Sequence, residues 1–131
     1  MREKGSATGH RILVAEDNEV NLALILDMLS IQGHEVTVAR NGQEAIDLAQ
    51  SHRPELILMD IKMPVMGGLE AMRQLRDIPE FAQTPIIALT ASTGSEAEDL
   101  QVTAGCTEHL AKPIQTKELF EILDRYLGKG E

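Results

Sequence analysis

Short apolar runs alternate with segments of helical period along most of this chain, and that alternation limits the possible folds more than any other feature. The apolar runs lie at 12–15, 36–38, 56–59, 86–89 and, in a more polar form, 107–111. Helical spacing of apolar residues predicts helices at 22–29, 41–49, 68–76, 95–103 and 119–126. Five strands that alternate with five helices predict an α/β fold, in which helices cover both faces of a parallel sheet.

Two of the predicted helices have recognisable ends. Gly33 follows the first helix at the position where a left-handed residue commonly ends a helix. Asn41 precedes the second helix, and Glu44 lies three residues later, which is the spacing of a capping box. The Asn41-Gly42 pair is also typical of a hairpin, but a helical period follows it, so we expect a helix there.

The character of each strand predicts its place in the sheet. The runs at 12–15, 56–59 and 86–89 are apolar throughout, as is typical of central strands with both faces covered. The alternating run at 36–38 and the polar run at 107–111 suit the two edges. This predicts the strand order 2-1-3-4-5, a flavodoxin-like doubly wound sheet. Ligands of such sheets bind beyond the carboxyl ends of the strands, here between the first and the third.

Composition excludes several classes of function. The 131 residues suit one domain, which we expect at 10–129 after a flexible lead-in at 1–9. A net charge of −9 argues against direct nucleic-acid binding and against an anionic membrane as a main partner. One cysteine, Cys106, cannot form a disulfide framework, and no apolar run is long enough to span a bilayer. We therefore expect a cytoplasmic protein.

Acidic and basic side chains follow the predicted strands at their carboxyl ends. Glu16 and Asp17 follow the first strand, Asp60 ends the third, Thr90 ends the fourth, and Lys112 follows the fifth. Three carboxylates in one crevice repel each other unless a cation joins them, and oxygen ligands favour a hard ion such as Mg²⁺. The hydroxyl and the ammonium group can bind anionic oxygens. Together these residues predict a Mg²⁺-dependent phosphoryl-transfer site with an aspartate as covalent acceptor.

Each of these residues also has an ordinary structural interpretation. Glu16, Asp17 and Asn18 could simply begin a helix, where acids and asparagine are favoured. Thr90 could be a strand-end hydroxyl, and Lys112 could lie in an unremarkable loop. Asp60 could be an ordinary turn residue before the loop at 64–68, but an acid that ends a wholly apolar strand is costly to bury without a function.

The spacing of four motifs resembles the receiver domain of two-component response regulators. The motifs are ILVAEDN at 12–18, LMDIKMPVMGG at 58–68, ALTA at 88–91 and LAKP at 110–113. The resemblance extends over about residues 11 to 127. It implies a flavodoxin-like fold, because a member of this family is an established example of that fold.

The resemblance implies a role for each matching residue at a metal site. Asp60 would be the phosphoacceptor, which receives its phosphoryl group from a histidine kinase or a histidine phosphotransfer protein. Asp17, Asp60 and the backbone carbonyl of Lys62 would bind Mg²⁺ directly, and Glu16 would act through a metal-bound water.

The resemblance also implies roles for three further residues. Thr90 would hydrogen-bond the phosphoryl group, Lys112 would pair with its oxygens, and the peptide bond before Pro113 is expected to be cis. The Asp17-Asn18 pair and Asn21 also resemble the residues at these positions in receivers that are attached to hybrid sensor kinases.

The family resemblance implies a signalling module and not an enzyme. Such a module is a phosphoacceptor that helps to catalyse its own phosphorylation and dephosphorylation. It would control a downstream output protein or an attached domain, with an oligomeric state that phosphorylation can change. The alternative is a Mg²⁺-dependent aspartyl phosphohydrolase. Such enzymes carry a second aspartate two residues after the nucleophile, where this chain has Lys62.

His109 departs from the family pattern. Receivers usually carry Tyr or Phe three residues before the lysine, where the ring turns inward as the threonine hydroxyl moves. We expect His109 either to act with Thr90 as a switch residue or to remain in solvent.

Overall fold

The five apolar runs form the strands of one parallel sheet. The computed structural model describes residues 9–90 and 105–127. The strands are β1 (Arg11–Ala15), β2 (Glu35–Ala39), β3 (Leu56–Asp60), β4 (Ile86–Thr90) and β5 (Glu108–Ala111). Their order is β2-β1-β3-β4-β5, and all neighbouring pairs are parallel. The predicted flavodoxin-like order is confirmed.

The connections between the strands are helical over much of their length. The helices are α1 (Glu19–Ile31), α2 (Gly42–His52), α3 (Gly68–Arg76) and α4 (Thr116–Leu127), with a short 3₁₀ helix at Pro79–Phe81. The helix predicted at 95–103 lies outside the described residues, so α4 corresponds to the fifth helix of the sequence analysis. None of the helices in the described ranges is long and apolar enough to cross a bilayer.

Burial follows the strand order predicted from the sequence. All residues of β3 and β4 are buried, and so are the last four residues of β1. The edge strands bury much less: only Ala39 in β2 and only Leu110 in β5. A parallel sheet has helices on both faces, so only its central strands need to be apolar on both sides.

The sheet separates the core into two apolar clusters. On one face, residues of α2 and α3 such as Ile46 and Met72 pack against Leu13 and Ile57. The other face carries a second cluster, formed with α1 and α4, whose members include Leu29 and Leu123. Successive strand residues point to opposite faces, which is why neighbouring residues of β1 and β3 contribute to different clusters. Each fully buried leucine or isoleucine adds about 1.5–3 kcal/mol to stability.

The helix ends match the sequence analysis except for one hydrogen bond. Gly33 follows α1 with φ at +68°. The Asn41 side chain accepts a hydrogen bond from the Glu44 N–H at 2.9 Å, as a capping residue does. The Glu44 carboxylate, however, accepts from the Arg40 N–H at 2.7 Å, and not from Asn41 as the capping box predicts. The hydrogen bond that the Glu44 carboxylate accepts therefore comes from Arg40, the residue before the N-cap, and not from the N-cap residue Asn41.

Side chains form hydrogen bonds with backbone groups at the edge of the sheet where the strands begin. We call this edge the amino edge. His34, which precedes β2, accepts a hydrogen bond through Nδ1 from the His10 N–H at 3.2 Å. Glu55, which precedes β3, accepts from the Arg11 N–H at 2.8 Å. Thr107 Oγ1, just before β5, accepts from the Ile86 N–H of β4 at 3.0 Å.

Arg76, the last residue of α3, stabilises the same edge through its side chain. Its guanidinium donates to the carbonyl oxygens of Gly105, Phe81 and Thr84 at 2.8, 2.7 and 2.8 Å. It also donates to Thr107 Oγ1 at 3.2 Å. A single side chain thereby connects α3 with the chain segments that lead into β4 and β5.

Candidate metal and phosphoryl site

Three carboxylates converge where β1 and β3 end, at the carboxyl edge of the sheet. Glu16 and Asp17 follow β1 directly, and Asp60 is the last residue of β3. One carboxylate oxygen from each lies within 4.8 Å of the other two. Glu16 and Asp60 are buried, whereas Asp17 is exposed. The arrangement brings together residues that are far apart in sequence because neighbouring parallel strands end at the same edge.

The pKa of Glu16 reflects its burial and the short distances between the three carboxylates. Burial raises the pKa of Glu16, and the neighbouring Asp60 charge raises it further. The Asn18 N–H, which donates to Glu16 Oε2 at 3.1 Å, acts in the opposite direction, as does Lys112. Glu16 Oε1 is buried and accepts no hydrogen bond from the described residues. A buried carboxylate oxygen without a donor is costly, so the cluster favours a bound cation or ordered water.

Lys112 supplies the positive charge that faces the three acids. Its Nζ lies 3.1 Å from Asp60 Oδ1 and 3.3 Å from Glu16 Oε1. The contact with Glu16 is an ion pair without hydrogen-bond geometry, which agrees with the unsatisfied Oε1. The Lys112 N–H donates to the Thr90 carbonyl at 2.8 Å, and the Lys112–Pro113 bond is cis, as the resemblance implied.

Thr90 is the last residue of β4 and lies at the same edge of the sheet as the acid cluster. The residue is buried, and it pairs with Ala111 of β5 in the parallel register. Its neighbour Leu89 pairs with Asp60, so Thr90 lies one step beyond the phosphoacceptor candidate along the carboxyl edge. The order of β3, β4 and β5 thus brings Asp60, Thr90 and Lys112 to neighbouring positions.

Two glycines hold the loop between β3 and α3 in place. The Gly68 N–H donates to the Ile61 carbonyl at 2.8 Å, and the Gly42 N–H donates to the Met66 carbonyl at 2.7 Å. A Cβ atom on Gly68 would lie 2.1 Å from the Asp60 carbonyl oxygen, and one on Gly42 would lie 2.5 Å from that of Met66. The sequence does not predict these hydrogen bonds; their sequence signal is limited to the glycines that follow Asn41 and Met66.

The other predicted residues lie around this cluster. Lys62 lies in the same loop, two residues after Asp60, and its side chain is exposed. His109 is half-buried on β5, and its Nδ1 makes no hydrogen bond within the described ranges. The ring lines an open cavity of about 310 Å³ between β5 and α4, together with Glu118 and Arg125.

Comparison with known proteins points to one family. The response regulator receiver domain family matches residues 12–124. The chain belongs to this family. The polar-differentiation response regulator DivK of Brucella anthropi is 41% identical over 117 residues, which cover 89% of this chain and 95% of DivK.

Solved structures of receiver domains have the same fold. The receiver domain of sensor histidine kinase PA1611 from Pseudomonas aeruginosa, with a magnesium ion coordinated in the active site cleft, is 38% identical. Its TM-score is 0.84, with 92% of this chain and 98% of that one covered. The receiver domain of Saccharomyces cerevisiae Ssk1, solved with the histidine phosphotransfer protein Ypd1, matches with a TM-score of 0.84 at 29% identity. The match covers 95% of this chain and 91% of that one.

Proposed function

We propose that this receiver domain accepts a phosphoryl group on the Asp60 carboxylate and changes conformation as a result. The observation that carries the proposal is the position of Lys112 Nζ, 3.1 Å from Asp60 Oδ1 at the edge of a cluster of three acids, two of which are buried. An ammonium group at that distance can balance the charge that Asp60 gains when it is phosphorylated. The proposed receiver unit is 10–129, with 1–9 as a lead-in.

The donor set fits Mg²⁺. The proposed ligands are Asp17, Asp60 and the backbone carbonyl of Lys62, with Glu16 acting through a metal-bound water. Support comes from the oxygen-only cluster, from the unsatisfied Glu16 Oε1 and from the magnesium ion of the PA1611 receiver. When bound, the ion would neutralise phosphoryl oxygens and lower the repulsion between them and the acids.

The proposed donor is a phosphohistidine on a histidine kinase or a histidine phosphotransfer protein. A carboxylate oxygen of Asp60 attacks phosphorus, so that an O–P bond forms while the P–N bond breaks. The bonding electrons stay on the ring nitrogen, and the ring leaves as neutral imidazole when its other nitrogen is protonated. Lys112 then pairs with the phosphoryl oxygens, and the Thr90 hydroxyl donates to one of them. Thr90 and His109, which pairs with Ala88 in the β4–β5 register, are the proposed switch residues.

Exposed apolar residues beside the site support a protein donor. Val20 and Leu24, on the first turns of α1, are 70% and 46% exposed. The Ssk1 receiver was solved with a histidine phosphotransfer protein, so the same class of partner is proposed here. An acidic surface agrees with a protein partner more than with nucleic acid.

Phosphorylation by a small donor tests the proposal. We expect phosphoramidate with Mg²⁺ to add one phosphoryl group to the wild-type protein, located on Asp60 by peptide mass spectrometry. Asp60→Asn removes the acceptor oxygen charge and should abolish labelling. Asp47→Asn, a carboxylate change on α2, is the matched control and should label normally.

Two outcomes would contradict the proposal. Label that persists in Asp60→Asn would show that another residue is the acceptor. Multiple turnovers of phosphate release without accumulation of phosphoprotein would favour the phosphohydrolase alternative.

A further inference from the structure

The segment between β2 and α2 contacts both loops that carry proposed Mg²⁺ ligands. Asp17 lies in the loop after β1, and Lys62 lies in the loop after β3, which is the neighbouring strand. Residues 39–42, which we call the bridging segment, bind to each of these loops. The first contact is a backbone hydrogen bond, in which the Glu16 N–H donates to the Ala39 carbonyl at 3.0 Å.

Gly42 joins the bridging segment to the loop after β3. Its N–H donates to the Met66 carbonyl at 2.7 Å, and a Cβ atom on Gly42 would lie 2.5 Å from that oxygen. The Gly68 N–H holds the same loop from its other end, through the Ile61 carbonyl at 2.8 Å. The backbone that carries Lys62 is therefore fixed relative to the bridging segment by main-chain atoms.

Arg40 joins the bridging segment to the beginning of α1. Its guanidinium pairs with the carboxylate of Glu19, the first residue of α1, which follows Asp17 by two residues. The backbone of Arg40 is held as well, because its N–H donates to Glu44 Oε1 at 2.7 Å. A side chain with a fixed backbone therefore connects the bridging segment to the loop after β1.

The ion pair has little to offer the stability of the fold. The side chains of Arg40 and Glu19 are 47% and 75% exposed, and exposed pairs contribute little to stability. The charge of Arg40 also opposes a cation at the neighbouring acid cluster. Precise ligand placement would offset that cost, because Mg²⁺ requires nearly octahedral coordination at about 2.0–2.1 Å.

We propose that Arg40 is a positioning residue for the proposed Mg²⁺ site. Its ion pair with Glu19 fixes the loop after β1 relative to the loop after β3, and these loops carry Asp17 and Lys62. In this role Arg40 binds neither the ion nor the phosphoryl group; it acts through Glu19 on the ligand positions. The inference rests on the proposed function, since it needs Mg²⁺ to bind at the carboxyl edge.

Charge and position make opposite predictions for one variant. If Arg40 affected Mg²⁺ only through its charge, Arg40→Gln would tighten Mg²⁺ binding and Glu19→Gln would weaken it. If the ion pair positions the ligands, both substitutions weaken binding. The double variant loses one charge of each sign, so it keeps the net charge of the wild-type protein and reports the positioning effect.

Amide chemical shifts during a Mg²⁺ titration measure the dissociation constant. We expect it to rise about fivefold in Arg40→Gln, the upper range for an exposed ion pair, and somewhat more in Glu19→Gln. The double variant should also show about a fivefold rise and not the product of the two effects, because the two residues act as one unit. Arg40→Lys, which keeps the charge, should stay within about twofold of wild type.

A second exposed ion pair is the matched control. Arg73 Nη1 lies 3.4 Å from Glu70 Oε1 on α3, and both side chains are about half exposed. The double variant Glu70→Gln with Arg73→Gln removes the same two charges away from the bridging segment. Its Mg²⁺ dissociation constant should equal that of the wild-type protein.

Phosphoramidate labelling and urea unfolding separate ligand positioning from a purely structural role. At subsaturating Mg²⁺, Arg40→Gln should label more slowly than wild type, and at saturating Mg²⁺ the two rates should agree within about twofold. The urea midpoint of Arg40→Gln without Mg²⁺ should stay unchanged. A lower midpoint with unchanged Mg²⁺ affinity would show a structural role and overturn the inference.

Two results of the titration would also overturn the inference. One is an Arg40→Gln variant that binds Mg²⁺ as tightly as wild type or more tightly. The other is a double variant whose effect is the product of the single effects. A wild-type protein that does not bind Mg²⁺ would instead overturn the proposed metal site.

Discussion

At the scale of single residues, Gly67 and Gly68 are chemically identical but have different surroundings. A Cβ on Gly68 would lie 2.1 Å from the Asp60 carbonyl oxygen, whereas one on Gly67 would be 3.3 Å from that of Ile61. We expect Gly68→Ala to lower the free energy of unfolding by at least about 2 kcal/mol, because the loop must move. Gly67→Ala, which changes only the N-cap of α3, should cost less than about 1 kcal/mol.

Urea unfolding of both glycine variants checks this expectation, and phosphoramidate labelling shows whether the site moves with the loop. Gly68→Ala should also label more slowly, since Asp60 and Lys62 flank the displaced backbone. Equal stability of the two variants would mean that the close approach at Gly68 is not a constraint on the loop.

At the scale of elements, one carboxylate joins β5 to α4. Glu108 accepts hydrogen bonds from Tyr126 and Arg125 of α4. Partial burial acts to raise the pKa of Glu108, but the hydrogen bonds from Tyr126 and Arg125 outweigh it and lower the pKa below its ordinary value of 4.5. A carboxyl group with a lowered pKa in the folded state stabilises the fold above its unfolded pKa. That contribution is lost as the pH falls through the folded pKa.

Glu108→Gln should therefore be less stable than wild type at pH 7, and the difference should shrink as the pH falls from about 5 to about 3. Urea unfolding at several pH values measures it. Glu35→Gln, an exposed carboxylate at the start of β2, is the control and should follow wild type at all of them. A stability difference that is constant across the acid range would contradict the role assigned to the Glu108 charge.

Elements also show which features of the fold could be predicted from sequence. Strand order was predictable because the central strands β1, β3 and β4 must be apolar on both faces. The site candidates were predictable because they lie at or just after the carboxyl ends of the predicted strands. The support of the loop between β3 and α3 was not, since it comes from a hydrogen bond that the Gly42 N–H donates from another segment. Nor was the role of Arg76, because its acceptors are mainly backbone carbonyls, which leave no pattern in the sequence.

At the scale of the whole molecule, we expect the acid cluster to couple the proposed metal binding to stability. Three carboxylates within 4.8 Å of one another repel each other in the metal-free protein, and an ion that binds only the folded state stabilises it by mass action. Mg²⁺ at about ten times its dissociation constant should add about 1.4 kcal/mol, measured as a rise in Tm.

Asp17→Ala should remove most of this Mg²⁺ response, because the loss of a direct ligand outweighs the relief of repulsion. Asp47→Ala, on α2, should retain it. If the Tm of the wild-type protein is insensitive to Mg²⁺, the carboxyl edge is not a metal site. An equal response of wild type and Asp17→Ala would place the binding elsewhere.

The two edges of the sheet differ in how freely they can rearrange. At the amino edge, the side chains of Arg76, His34, Glu55 and Thr107 bind backbone groups at or near the beginnings of the strands. Opening the backbone there breaks several of these bonds at once, so we expect amide hydrogen exchange to be slow at the amino edge. At the carboxyl edge, three carboxylates and one ammonium group face each other, and a phosphoryl group on Asp60 would change the charge that surrounds Lys112. If Asp60 is phosphorylated as proposed, we therefore expect the resulting displacements to spread along the carboxyl edge, from strand end to strand end, and to leave the amino edge in place.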